Sequence, residues 1–242
     1  MYKLFIPTSG TGSRLKDITK SANKALVMVA GTATICRIID SYSSDVPVVV
    51  TLGYLGEQVQ EFLAKKYPER AIEYVPVDKY EGEGSSLLYS IRCAREYLQC
   101  PFVFHACDTL VTEPVAEPQH NWIAGFRMER AIEQGLPVAQ YRTHKVVDGK
   151  IIKFLDKGIP DFQSIHIGLD GIVDYSVFWT ALEDIYKSDP MNQSLSDVHI
   201  LEKMLVRGAD FDWVPYDVWL DTGNLEALAK TEIYFSNQKK MD

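Results

Sequence analysis

The chain has 242 residues, of which 46% are hydrophobic and 24% are charged, and its formal net charge at pH 7 is −8. This length and composition are ordinary for a globular protein with its own core, and the net acidity argues against a general nucleic-acid binder. No signal peptide and no apolar run long enough to span a bilayer is visible, so we expect a cytoplasmic protein without a membrane anchor.

Strand and helix signals alternate along the first half of the chain. Short apolar or β-branched runs predict four strands, and the amphipathic segments between them predict three helices. The predicted strands are Lys3–Ile6, Val46–Leu52, Ile72–Val75 and Phe102–Ala106, and the predicted helices are Thr34–Tyr42, Glu57–Tyr67 and Ser85–Leu98. This alternation is typical of a mostly parallel sheet with helices on both faces.

The second half of the chain begins with a predicted hairpin, because Asp148 and Gly149 form an Asp-Gly pair between two strand-like runs. The predicted strands are Val138–Thr143, Ile151–Leu155, Ile165–Val173 and Phe211–Val214, and the predicted helices are Val177–Tyr186, Asp197–Val206 and Leu225–Phe235. No linker or repeat interrupts the sequence. We therefore expect one α/β domain over residues 1–242, a Rossmann-like three-layer sandwich with a mixed, mostly parallel central sheet.

A glycine-rich loop follows the first predicted strand, and residues 6–15 read IPTSGTGSRL. The first 37 residues carry six basic side chains and one acid, in a chain that is acidic overall. Such a loop exposes backbone N–H groups that can surround an anion, and Arg14 and Lys24 add positive charge. The loop has no P-loop signature, and Leu15 occupies the place of the third glycine of a dinucleotide fingerprint. We expect a nucleoside triphosphate there; a solvated turn with two surface cations is the alternative.

Two aspartates are candidates for holding a metal ion. Asp108 follows the strand Phe102–Ala106 and is expected at the carboxyl edge of the sheet, where open α/β folds bind ligands. Asp221 lies in a Trp-x-Asp-x-Gly turn before the last predicted helix. Carboxylates, water and phosphate oxygens are the ligands that Mg²⁺ prefers. The alternatives are a turn or capping role for Asp108 and a helix start at Asn224.

Five segments, taken in order, resemble the nucleotidyltransferases that make sugar nucleotides and the phosphocholine-type cytidylyltransferases. The family pattern is a G-x-G-[ST]-R-[LM] loop, a later P-K, a strand-end aspartate, an E-K-P segment and a W-x-D-x-G-T turn. The corresponding segments here are Gly10–Leu15, Asn23–Lys24, Asp108, Asp156–Gly158 and Trp219–Asn224. Asn23 replaces the proline before the lysine, and Asn224 replaces a threonine. Lys157 has the weakest match, because both of its neighbours differ from the pattern.

The resemblance implies a role for each matched residue. It implies that Arg14 and Lys24 are catalytic and that Asp108 and Asp221 bind a Mg²⁺ ion. It implies that two segments bind the nucleotide, through the residues Ser9, Gly10, Thr11, Gly12, Ser13, Gly84, Ser85 and Ser86. It also implies that Lys157 and Gly168 bind the acceptor. An N-terminal cap at Ser85 is the alternative for the second nucleotide segment.

The resemblance also implies an activity: a Mg²⁺-dependent enzyme that transfers a nucleotidyl group from a triphosphate to a phosphorylated sugar or small alcohol. Pyrophosphate leaves, CTP is the favoured donor, and surface-polysaccharide biosynthesis is the expected pathway. Residues 1–112 would form the nucleotide-binding half and residues 113–242 the acceptor-binding half. Two alternatives stay open. One is a glycosyltransferase of related fold, which usually needs an Asp-x-Asp motif at this place; here the three residues that start at Asp108 read Asp-Thr-Leu. The other is a non-catalytic nucleotide-binding regulator, which would be expected to have lost Lys24 or a metal carboxylate.

Overall fold

The computed structural model describes residues 1–159 and 162–238, which contain thirteen strands and seven α-helices. The strands are β1 Lys3–Pro7, β2 Met28–Val29, β3 Thr32–Ala33, β4 Val48–Leu52, β5 Ile72–Pro76, β6 Phe102–His105, β7 Thr109–Val111, β8 Trp122–Arg127, β9 Thr143–Val147, β10 Lys150–Leu155, β11 Ser164–Ile172, β12 Asp212–Tyr216 and β13 Trp219–Asp221. The α-helices are α1 Thr34–Asp40, α2 Gly56–Lys66, α3 Leu87–Cys93, α4 Met128–Glu133, α5 Tyr175–Ser188, α6 Asp197–Val206 and α7 Leu225–Gln238.

Nine of these strands form one mixed sheet in the order β5-β4-β1-β6-β11-β8-β12-β10-β9. The strands β5, β4, β1 and β6 pair in parallel, as the alternation in the first half of the chain predicts. The long strand β11 then runs antiparallel to both β6 and β8, and β12 is parallel to β8. The prediction of a mixed sheet in an α/β fold is therefore confirmed, but the expectation that this sheet is mostly parallel is wrong: among the described strands, four pairings are parallel and five are antiparallel.

The far end of this sheet closes on itself, which the sequence analysis did not predict. Strand β9 pairs with β10 and also with β11, so that β11, β8, β12, β10 and β9 form a closed ring. The closure is possible because β11 is nine residues long, and its first residues, Ser164 and Ile165, reach β9 on one side and β8 on the other. The ring departs from the open three-layer arrangement that we expected for the whole chain.

Helices pack against both faces of the parallel strands. Successive side chains of a strand point to opposite faces, and β1 divides its residues accordingly. Leu4 and Ile6 belong to a core cluster that contains Ile35 of α1 and Val59 of α2. Phe5 belongs to a second cluster, which includes apolar residues of α3, α5 and α6. The two faces of the sheet thus carry separate cores.

Two predicted elements are wrong in their bounds. The segment predicted as a strand from Val138 is a short 3₁₀ turn, Val138–Gln140, and the hairpin strand β9 begins only at Thr143. Pro137, directly before the turn, has a fixed φ and no N–H for a strand ladder. The helix predicted from Ser85 begins at Leu87, because the Ser86 hydroxyl accepts the Tyr89 N–H at 3.0 Å and so provides the cap.

The four cysteines differ in their exposure. All four are free thiols; Cys36 and Cys107 are buried, whereas Cys93 and Cys100 are partly exposed. Among the described helices, none combines the length and the apolar character that a membrane crossing requires.

Candidate active site

Two adjoining clefts lie at the carboxyl ends of β1 and β6. The larger has a volume of about 580 Å³ and is lined by the glycine-rich loop and by the start of α3. The smaller, of about 180 Å³, is lined by residues around β11 and β13. The residues that line both clefts are Arg14, Leu87, Ala106 and Asp108. Molecules bound in the two clefts would therefore meet at Asp108.

The residues predicted to bind the nucleotide are concentrated at the larger cleft. Those that line it are Ser9, Gly10, Thr11, Ser13, Ser85 and Ser86. Gly12 allows the loop to pack closely on its neighbours: its φ is +65°, and a Cβ there would come within 3.0 Å of the Lys24 and Thr19 side chains. Gly84, with φ +79°, lies just before the cleft-lining serines.

Several hydroxyl groups of these residues already have protein partners. The Ser9 hydroxyl bonds the Ser90 hydroxyl at 2.7 Å, and the Ser85 hydroxyl donates to the carbonyl of Gly82 at 2.6 Å. With the Ser86 hydroxyl capping α3, the alternative of a cap at Ser85 is wrong by one residue. Backbone groups are therefore the better candidates for contacting a ligand from these segments.

Asn23, which departs from the family pattern, fixes the turn that carries Lys24. The Asn23 side chain is fully buried, and its amide donates to the carbonyl of Thr8 at 2.9 Å and to the carbonyl of Tyr54 at 2.6 Å. Its oxygen accepts the N–H of Ala25 at 2.9 Å, which caps the short 3₁₀ turn Lys24–Leu26. The amide thus ties the lysine to the end of β1 and holds its backbone in place.

Two cations converge on the carboxylate of Asp108. The ammonium of Lys24 lies 3.4 Å from Asp108 Oδ2, and the guanidinium of Arg14 lies 3.5 Å from the same oxygen. Only 21% of the Lys24 side chain is exposed, against 69% for Arg14. Lys24 is therefore a fixed charge in the floor of the cleft, whereas Arg14 reaches it from the solvent side.

Asp221 is brought to Asp108 by a small ladder outside the main sheet. Strand β13 pairs antiparallel with β7, and Asp221 lies opposite Thr109, the neighbour of Asp108. The carbonyl of Asp108 accepts the N–H of Thr222 at 2.9 Å. A Cβ on Gly223 would lie 2.9 Å from an Asp221 oxygen and 3.0 Å from an Asp108 oxygen. The two carboxylates thus face one small space, which only glycine leaves open.

The two carboxyl groups differ in their electrostatic environment. Burial raises the pKa of Asp108, but the charges of Lys24 and Arg14 outweigh it and hold that pKa below its ordinary value. Burial, together with the nearby charge of Asp108, raises the pKa of Asp221 to about 6. Burial lowers the pKa of Lys24, but Asp108 more than reverses this and keeps the ammonium charged. A second carboxylate beside the first is a donor set that suits a hard divalent cation.

The acceptor residues predicted from sequence are separated in the structure. Gly168 lines the smaller cleft; its φ is +70°, and a Cβ there would come within 2.8 Å of the Ala106 Cβ. Lys157 is exposed in the turn after β10, and it is not among the described residues that line either cleft. An acceptor role for Lys157 stays a prediction.

Sequence reasoning missed other residues of the smaller cleft. Tyr141 packs edge-on against Trp219, and its hydroxyl lies 3.5 Å from Asp221 Oδ2. His166 and Asp197 also line this cleft. No local signal identified them, because they are joined to the site by contacts between segments far apart in the chain.

Comparisons in sequence identify several relatives, although no protein-family model matches the chain. The chain is 24% identical over 235 residues to the low-salt glycan biosynthesis nucleotidyltransferase Agl11 of Haloferax volcanii, which covers 91% of this chain and 62% of the relative. It is 32% identical over 137 residues to the choline-phosphate cytidylyltransferase of Haemophilus influenzae, which covers 55% of this chain and 56% of the relative. The chain thus spans less than two thirds of the length of these curated relatives.

Solved structures with the same fold cover almost the whole chain. The CTP:phosphocholine cytidylyltransferase from Streptococcus pneumoniae matches with a TM-score of 0.75 at 18% identity, over 97% of this chain and 99% of that one. A UDP-glucose pyrophosphorylase complexed with UDP-glucose matches with a TM-score of 0.77 at 14% identity, over 98% and 100%. The expected resemblance is therefore confirmed: the relatives of this chain, in sequence and in fold, are sugar-1-phosphate nucleotidyltransferases and cytidylyltransferases.

Proposed function

We propose that this chain transfers a nucleoside monophosphate from a nucleoside triphosphate to a phosphorylated sugar or small alcohol, with release of pyrophosphate. The observation that carries the proposal is the convergence of two cations and two carboxylates where the larger and smaller clefts meet. The convergent residues are Arg14, Lys24, Asp108 and Asp221. The activities named for the relatives support it. We further propose that the chain is one domain, with residues 1–112 on the nucleotide side and residues 113–242 on the acceptor side.

In the proposed reaction, a phosphate oxygen of the acceptor attacks the α-phosphorus of the triphosphate, and the bond to the pyrophosphate oxygen breaks. Such a displacement depends on positioning and on charge neutralisation more than on a protein nucleophile. Lys24 offsets the charge that grows on the α-phosphate oxygens, because its ammonium is fixed beside Asp108. Arg14, which is largely exposed, closes on the departing pyrophosphate with its planar fork. The backbone N–H groups of residues 9–13 surround the phosphates.

Asp108 and Asp221 are the residues that would hold Mg²⁺, which supplies a positive charge that neutralises phosphate oxygens during the displacement. The raised pKa of Asp221 supports this fit, because its burial and the nearby charge of Asp108 both disfavour a second negative charge unless a cation lies between the two carboxylates. Lys157 and Gly168 are proposed on the acceptor side, with Lys157 reaching the acceptor phosphate.

We propose CTP as the donor and glycan or surface-polysaccharide biosynthesis as the setting. A curated relative is a cytidylyltransferase, and another is named for glycan biosynthesis. Two structural neighbours are named for CTP, with phosphocholine or inositol-1-phosphate as the partner. The cytoplasmic location stays a prediction.

The test is a pyrophosphate-release assay with Mg²⁺. CTP, UTP, dTTP, GTP and ATP are each combined with phosphocholine, inositol-1-phosphate and glucose-1-phosphate. We expect one triphosphate to dominate and pyrophosphate to form only when the right acceptor is present. Triphosphate binding by thermal shift without pyrophosphate from any pair would favour a non-catalytic regulator. Sugar transfer from a nucleotide sugar, without pyrophosphate, would favour the glycosyltransferase alternative.

A further inference from the structure

A second group of titratable side chains lies beside the smaller cleft, on β11 and at the start of α6. It consists of His166, Asp170 and Asp197, and one nitrogen or oxygen atom of each lies within 4.8 Å of the others. His166 Nε2 lies 2.8 Å from Asp197 Oδ2. These residues are separate from Asp108 and Asp221, and the proposed transfer reaction does not use them.

A bulge in β11 brings His166 and Asp170 together. Opposite β8, His166 pairs with Gly125 and Asp170 pairs with Ile123, so four steps along β11 oppose two steps along β8. In a regular strand, residues four positions apart would be separated by about 13 Å. The distortion around Gly168, with its φ of +70°, shortens this distance and re-aims the side chains.

Within the part of the chain that the structure describes, neither carboxylate oxygen of Asp170 has a hydrogen-bond partner. The residue is 1% exposed, and both oxygens are buried without a hydrogen bond. Burial raises the pKa of Asp170 to about 8. The charge of nearby His166 opposes this rise without reversing it. A buried carboxyl group without a hydrogen bond is costly, and a cation in the space shared with His166 and Asp197 would satisfy it.

His166 is held in an orientation that suits a metal ligand. Its Nδ1 lies 3.1 Å from Nε2 of His144, whose Nδ1 in turn lies 3.4 Å from the Ser164 hydroxyl. A partner on the second ring nitrogen is the usual way in which proteins orient a ligating histidine. The neighbouring Arg142 guanidinium pairs with Asp156 at 3.2 Å, on the exposed side.

We propose that His166, Asp170 and Asp197 bind a divalent transition-metal ion of the Zn²⁺ type. One imidazole nitrogen and two carboxylate oxygens form a donor set that Zn²⁺ accepts while keeping a position open, whereas Mg²⁺ favours oxygen ligands alone. The ion takes the place of the shared proton between His166 and Asp197. Because these two residues line the smaller cleft, the open position faces it. A hydroxyl or carboxylate oxygen of the acceptor completes the coordination; this last point rests on the proposed function.

The test uses Co²⁺ as a spectroscopic probe, without triphosphate or acceptor, so that it does not depend on the transferase activity. In the double variant Asp108→Asn/Asp221→Asn, we expect one Co²⁺ per chain, with visible absorption bands that Zn²⁺ displaces. Adding Asp170→Asn or, separately, His166→Gln to this background weakens Co²⁺ binding by at least about tenfold.

The control is His120→Gln, which removes a surface histidine that pairs with Asp212 and is expected to leave the Co²⁺ stoichiometry unchanged. Thermal melts verify that each variant folds, and either of the two cluster variants suffices for the comparison. The proposal is overturned if the double variant binds no Co²⁺, or if folded cluster variants bind it as the double variant does. Loss of transferase activity alone would bear on the proposed function and not on this site.

Discussion

Lys24 is the residue on which the proposed chemistry depends most directly. Its ammonium is fixed 3.4 Å from Asp108 in the floor of the cleft. We expect Lys24→Ala to lower kcat by about a hundredfold or more, because a preorganised charge beside the reacting phosphate is lost. The measurement is pyrophosphate release under saturating substrates, with a thermal melt to verify the fold.

Lys20→Ala is the matched control for this variant. Lys20 lies in the same segment, but its exposed ammonium pairs with Asp17 at 2.7 Å. We expect this change to leave kcat within about a factor of two, since exposed ion pairs contribute little. A Lys24→Ala enzyme with a kcat close to that of the unchanged protein would remove Lys24 from the mechanism.

Asp221 gives the site a pH dependence with a definite sign. Its pKa is raised to about 6 in the folded protein by burial and by Asp108, so the folded chain binds this proton more tightly than the unfolded chain does. Stability from this group is therefore present at low pH and is lost as the pH rises towards 6.

We expect Asp221→Asn to remove this loss of stability at higher pH. At pH 7.5, without divalent ions, the variant should be more stable than the unchanged protein by on the order of 2 kcal/mol, with little difference near pH 4. Urea unfolding at the two pH values in EDTA measures it. An equal difference at both pH values would contradict the assigned environment of Asp221.

At the residue scale, local motifs predicted the charged groups that meet at the junction of the clefts. Arg14, Lys24, Asp108 and Asp221 each lie in a short pattern whose residue types are tied to phosphate or metal chemistry, and the structure brings them together. Tyr141 could not be found in this way. Its position beside Asp221 depends on the packing of two distant segments.

At the scale of elements, the turn that carries Asp108 is held by a buried histidine. His105 Nδ1 lies 2.8 Å from the Tyr42 hydroxyl, and its Nε2 lies 3.0 Å from the carbonyl of Thr109. Burial lowers the pKa of His105 to about 4, so the ring is neutral near pH 7. The imidazole thus accepts a hydrogen bond from the Tyr42 hydroxyl and donates one to the carbonyl of Thr109. These two bonds join the C-terminal end of α1 to the start of β7.

We expect Tyr42→Phe to lower the free energy of unfolding by about 1–3 kcal/mol, because it leaves the buried His105 Nδ1 without a donor. Urea unfolding measures the loss. Tyr54→Phe is the control, since the Tyr54 hydroxyl donates to the carbonyl of Lys20 at an exposed position. Equal stabilities for the two variants would show that the Tyr42–His105 bond does not contribute.

The elements of the parallel half were predictable, whereas the ring was predictable only in part: β10, β11 and β12 follow the predicted runs to within two residues, but β8 and the closure through β9 were not predicted. In β1, β4 and β5, short apolar strands alternate with amphipathic helices, so periodicity alone predicts their order. Strand β8 is buried throughout most of its length, and its sequence, WIAGFR, lacks alternation and contains a glycine. Gly125 is required there because the Ser164 and Trp213 side chains occupy the space of a Cβ. That requirement comes from neighbours that the local sequence does not contain.

At the scale of the whole molecule, the two halves share their cores and two ladders, β6–β11 and β7–β13. Phe5 and Leu88 pack in the same cluster as Phe178 and Leu201, and β6 pairs with β11 over four residues. We expect urea unfolding to be a single transition, with coincident curves by far-UV circular dichroism and by tryptophan fluorescence.

This comparison is informative because all four tryptophans lie after residue 112. Fluorescence therefore reports on the second half, whereas circular dichroism reports on both. Two separate transitions would contradict the proposal of one domain. A fragment of residues 1–112 is expected to remain unfolded, because it would expose the side of its sheet that α5 and α6 cover.

The β7–β13 ladder has a consequence for the order of events during synthesis. It joins Asp108 to Thr222, which are 114 positions apart in the chain, and closing so long a loop is slow and comes late in folding. A nascent chain therefore carries its glycine-rich loop outside the ribosome long before the second carboxylate has been added. The centre of the proposed reaction is thus completed only when the last turn and the last helix have joined the fold.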